Sequence, residues 1–133
     1  MRKMAVLACA VLALLGVVPQ AGAQDAATTA TIAKNLAENI LGKGQVRSSR
    51  VVNDGRRVEI VWESATFKLK NTRDHTRELL RVEAEFAASA IFRVLTDVHE
   101  IQFQIVLGKR SLATGSASRA RPLLVTYATD LGG

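Results

Sequence analysis

The sequence predicts an α+β fold: a two-layer sandwich of order αββαββ, with a four-stranded, mostly antiparallel sheet covered on one face by two helices. Three observations predict it. Apolar residues recur at helical spacing over residues 32–41 and again over 79–94. Each of these segments is followed by a stretch in which apolar and polar residues alternate. An Asp54-Gly55 pair then divides the first alternating stretch, where a tight hairpin needs two residues that tolerate positive φ.

Taken in order, residues 24–31 read as a short polar lead-in, with Thr28 or Thr29 as the N-cap of the first helix. Ile32, Leu36 and Ile40 form its stripe, and Gly42 and Gly44 end it. Folding about Asp54-Gly55 sets Val51 opposite Val58, Ser49 opposite Ile60 and Arg47 opposite Trp62. Val58, Ile60 and Trp62 then share the core face, while Arg50 and Glu59 pair on the other. The strand is expected to run on through Phe67 and Leu69.

Asn71 or Thr72 caps the second helix, predicted over residues 73–95, and Asp74 suits the positive end of its dipole. Leu79, Val82, Phe86, Ala90 and Val94 form its central apolar stripe, widened by Leu80, Ala87 and Ile91. In the next strand Ile101, Phe103, Ile105 and Leu107 point inward, with Gln102 and Gln104 outward. The Gly/Ser-containing residues 111–120 read as a loop, and residues 123–129 as the last strand.

The N-terminus reads as an address. Arg2 and Lys3 precede an uncharged apolar run over residues 4–18, and Ala21, Gly22 and Ala23 supply a small-residue cleavage site. This is the layout of a secretory signal peptide, and the run is shorter than the roughly 20 apolar residues that cross a bilayer. Residues 1–23 are therefore expected to be removed, leaving a single α+β domain over 24–133 that is periplasmic or secreted. Cys9 follows too few apolar residues to be a lipidation site. Cleavage removes it, and with it any thiolate metal site or cysteine nucleophile. Loss of Arg2 and Lys3 lowers the formal charge from +6 by two, to +4, a weak bias toward anionic surfaces.

Catalytic constellations are thin. His99 sits among Asp97 and Glu100, and His75 follows Asp74, but no third converging ligand is evident. No serine occupies a strand–turn–helix elbow, and the glycines at 42 and 44 follow a helix where a phosphate loop would open one. No catalytic, cofactor-binding or metal-binding residues are assigned. Basic residues fall in three separated places with few aromatics between them, so nucleic acid is not an expected partner.

Six residues stand out as functional candidates. Glu83 projects a carboxylate into the apolar arc of the second helix, where it must be paired or protonated. Phe92 points to that helix's charged side, as an interface anchor would. Arg50, Glu59, Gln102 and Gln104 share the open face of the sheet. The resulting expectation is a small exported bacterial envelope protein, a non-catalytic binding or adaptor domain. Its partner would be an envelope protein or an anionic envelope surface, with no stable membrane span after processing and homo-oligomerisation possible. The alternatives are a small periplasmic hydrolase or transferase using Glu83 or His99, and a structural subunit that self-associates through a sheet edge.

Overall fold

A computed structural model of the chain describes residues 18–68 and 71–129, with side chains from residue 26 onward. The order is α1 (Val18–Leu41), β1 (Val46–Val52), β2 (Arg57–Glu63), α2 (Arg73–Val94), β3 (Glu100–Leu107), β4 (Arg110–Ser118) and β5 (Leu124–Tyr127). The strands form one sheet in the order β1-β2-β3-β4-β5. The α+β class holds, but the sheet has five strands, and the order is αββαβββ instead of αββαββ.

The sheet is mixed. β1–β2, β3–β4 and β4–β5 pair antiparallel, whereas β2 and β3 pair parallel. A parallel pair needs a crossover, and α2 supplies it. The two helices pack against each other and over one face, which carries Val58, Ile60, Trp62, Ile101, Phe103 and Ile105. The alternating residues Glu59, Val61, Gln102 and Gln104 remain on the uncovered side.

The first hairpin keeps most of its expected register: Val51 faces Val58, Arg50 faces Glu59 and Ser49 faces Ile60. Asp54 and Gly55 both take positive φ, 56° and 88°, and Arg56 N–H donates to Asn53 O across the turn at 3.1 Å. The expected Arg47–Trp62 pair does not form. A bulge between Val46 and Ser48 sets Val46 opposite Trp62 and releases Arg47 to the open side, where it pairs with Glu63. The extra residue bends β1 and turns one side chain outward.

Four further expectations are corrected. Residues 24–31 are helical, not a lead-in, because alanines at 26, 27 and 30 favour helix and the Thr31 hydroxyl bonds back to Ala27 O at 3.1 Å. β2 stops at Glu63, so Phe67 lies outside it, while Leu69 lies outside the described residues. Residues 110–118 form β4, not a loop. Small residues are required there: a Cβ on Gly115 would lie 2.1 Å from Leu124 O and 2.7 Å from Phe103 Cζ. Glycine composition marks a close backbone approach here, and a turn only in the segments that lack strand partners.

The fourth correction concerns α2. Thr72 caps it as expected, accepting from His75 N–H at 3.2 Å, but the helix is rotated about its axis. Its buried residues are Thr76, Leu80, Glu83, Ala84, Ala87, Ala88 and Ile91. Phe86 and Val94, from the predicted central stripe, are 55% and 52% exposed. Ala84, Ala87 and Ala88 join Ala33 and Ala37 of α1 in the buried core, where small side chains let packed elements come close. No helix among the described residues is long and apolar enough to cross a membrane.

Candidate functional site

The open face of the sheet is built in rungs set by strand register. One rung reads Arg50, Glu59, Gln102, Ser116, Leu124; the next reads Ser48, Val61, Gln104, Thr114, Thr126. A third begins with Arg57, Glu100 and Ser118. Because side chains alternate along a strand, every second residue of five strands is delivered to this surface. All four open-face candidates therefore stand together: Arg50, Glu59, Gln102 and Gln104 line a shallow concavity of about 490 Å³ with Ser48 and Val61.

The face divides electrostatically. On the β1–β2 side Arg50 pairs with Glu59 at 2.6 Å, and Arg57 reaches Glu59 at 3.3 Å and Glu100 at 3.9 Å. Arg47 pairs with Glu63. Three arginines thus meet three glutamates, and that half carries no net charge. The β3–β5 side offers amides and hydroxyls, Gln102, Gln104, Thr114, Ser116, Ser118 and Thr126, with Leu124 59% exposed beside them. Neutral groups of this kind both donate and accept hydrogen bonds, which suits a polar, uncharged partner surface.

Glu83 is placed elsewhere, beneath the helix layer and 4% exposed. Its Oε1 accepts from Trp62 Nε1–H at 2.9 Å. Its Oε2 accepts from the Ser64 hydroxyl at 2.8 Å, Thr66 N–H at 2.9 Å and the Thr66 hydroxyl. Ser64 Oγ in turn accepts from Phe67 N–H at 3.0 Å. The carboxylate therefore ties the end of β2 and the start of the crossover to α2. Both oxygens are occupied by groups of the fold, an arrangement that fixes a connection. A buried indole needs an acceptor, so Trp62 on the core face was the signal that points to Glu83.

Phe92 is half-buried against the core instead of standing free on the helix's charged side, and Arg119 covers its ring. The Arg119 guanidinium lies 4.7 Å from the Phe92 ring centroid. Arg119 also donates to Phe92 O at 2.7 Å, Leu95 O at 3.0 Å and Val98 O at 2.8 Å. One side chain thus satisfies carbonyls at the C-terminal end of α2, where a cation opposes the helix dipole. Sequence reasoning missed this role, since Arg119 lies 27 residues from Phe92 along the chain. The cation–π contact closes the same cap.

His99 and His75 are both exposed and far apart in the fold. His99 lines a concavity of about 330 Å³ at the end of the open face, with Glu100, Ser116, Ser118 and Arg121. Among the described residues no group of three or more His, Cys, Asp or Glu could hold a metal ion. At the other end of α2, Arg81 bonds to Glu78 at 2.7 Å and holds its carboxyl below the usual carboxylate range. Burial raises the Tyr127 phenol above its ordinary value, and Arg77 stacks over that ring at 5.3 Å. Comparison of the chain with known protein families, curated proteins and solved structures finds no match in any of the three.

Proposed function

We propose that the chain is an exported, non-catalytic binding domain of the bacterial envelope that engages a partner protein across the open face of its sheet. The observation that carries this reading is the uncovered five-stranded face itself. Its register gathers Arg50, Glu59, Gln102 and Gln104 over one shallow concavity. Export rests on the charged, apolar and small-residue pattern of residues 2–23.

The charge balance favours a protein over an anionic polymer as the partner. An anionic surface is drawn by unpaired cations, whereas Arg47, Arg50 and Arg57 each face a glutamate. Amides and hydroxyls on the neighbouring strands supply the directional hydrogen bonds found across protein interfaces.

Site-specific photocrosslinking in a bacterial host tests the reading. A photoreactive residue at Gln104 should give a discrete adduct, and one at Lys34 on the outer side of α1 should not. Equal labelling at both positions, or none at Gln104, would overturn it. Intact-mass measurement of the recovered protein should show a chain beginning at Gln24; a lipid on Cys9 would refute the assigned route.

A further inference from the structure

We propose that α2 pairs with α2 of a second copy of this chain, in an antiparallel, two-fold-symmetric dimer that joins the two helix layers back to back.

The proposal starts from the rotation of α2. The monomer buries this helix through Leu80, Ala84, Ala87, Ala88 and Ile91, while Leu79, Val82 and Phe86 are not among its buried core residues. Phe86 is 55% exposed, Leu79 and Val82 are half-buried, and α1 adds Ile40 at 47% exposure to the same helix layer. Single exposed apolar residues are ordinary, but an exposed aromatic flanked along one row by partly exposed apolar residues marks a contact surface.

The spacing of that row is specific. His75, Leu79, Val82, Phe86, Ser89 and Arg93 follow one another at intervals of four, three, four, three and four residues. This is the seam spacing with which two helices supercoil against each other. Bulky apolar groups occupy the middle, a small serine follows, and His75 and Arg93 close the two ends.

The seam is self-complementary only when antiparallel. A two-fold axis passing beside position 84 sets Val82 against the second copy's Phe86 and Leu79 against its Ser89, so large residues meet smaller ones. The same register brings Arg93 against the second copy's His75, next to its Asp74 and Glu78. Asp74 and Arg93 stand at opposite ends of α2, and neither is in an ion pair among the described residues. A parallel pairing would leave both without a partner and align the helix dipoles unfavourably. One register therefore satisfies packing and charge together.

Such a dimer leaves both open sheet faces pointing outward on opposite sides. It is independent of the open-face reading and compatible with it, since two outward faces make a bivalent binder.

Sedimentation equilibrium of the protein purified from a bacterial host tests this, over a range on the order of 1 to 100 µM. The parent should sediment with the mass of two chains. Phe86→Glu should raise the dissociation constant at least about thirtyfold, as loss of an interface anchor does. Because Phe86 is exposed in the single chain, its thermal unfolding should persist as one cooperative transition. Asp74→Arg and Arg93→Asp should each weaken the dimer roughly fivefold, the size of an exposed ion pair. The double variant should restore it, while carrying both helix-end changes. A parent that stays monomeric throughout, a dimer that survives Phe86→Glu, or a double variant weaker than either single one would each overturn the proposal.

Discussion

Glu83 and Glu59 lie on opposite sides of the same sheet, and each is fully engaged, but by different kinds of partner. Glu83, 4% exposed, is held by an indole, two hydroxyls and a backbone N–H. Glu59 is held by the guanidinium groups of Arg50 and Arg57. On the open face water solvates whatever an ion pair leaves unsatisfied, so long, mobile arginines suffice. Beneath the helices burial removes the carboxylate from bulk solvent, and short donors fixed to the backbone satisfy it instead. The buried arrangement specifies one geometry of the β2–α2 connection. The open one keeps a charged surface neutral with side chains that solvent leaves free to rearrange.

This contrast is sharpened by substitutions on the two faces. The largest effect is expected at Gly115, where β4 passes against β5 and Phe103. Gly115→Val should destabilise the fold by about 3 kcal/mol, near the upper end for overpacking, because backbone stands in the way of the new side chain. Urea denaturation measures it, and an unchanged midpoint would mean that β5 does not pack there. Glu83→Gln comes next, at about 1–3 kcal/mol. The amide nitrogen turns an acceptor into a donor that faces the Thr66 N–H. The same measurement should detect the loss at pH 7.

Glu59→Gln on the open face should cost less than about 1 kcal/mol, since exposed ion pairs contribute little. A loss equal to that of Glu83→Gln would erase the distinction between the faces. The smallest effect belongs to Glu78, exposed on α2 and held below its ordinary value by hydrogen bonding to Arg81. A lowered folded value means that its contribution is present above the ordinary carboxylate value and fades as pH falls through the lowered one. The difference between the parent and Glu78→Gln should therefore vanish in acid and shrink with added salt at neutral pH. A difference that grows on acidification would reverse the sign of the shift.

Much of the sheet was legible because its determinants are local. The hairpin about Asp54-Gly55 and the pairs Val51–Val58 and Arg50–Glu59 follow from turn chemistry and alternation within a few residues. The same holds for the Thr72 cap and for the gathering of Arg50, Glu59, Gln102 and Gln104 on one face. The partners of Glu83 and Phe92 were not legible. Ser64, Thr66 and Arg119 are ordinary polar residues in sequence, and only the crossover and the β4 end bring them into reach.

By itself the sequence determined the α+β class, the two helices, the first hairpin and the residues of the open face, since periodicity and turn residues act over short stretches. Tertiary structure decided the rest. β4 is a strand because neighbours on both sides pair with a segment rich in small residues, a requirement no local propensity encodes. α2 buries Thr76, Leu80, Glu83, Ala84, Ala87, Ala88 and Ile91 because close packing rewards fit to the facing surface over the count of apolar groups in a stripe. Apolar spacing fixed that α2 is a helix; its angle about its own axis was set only by what lies across from it.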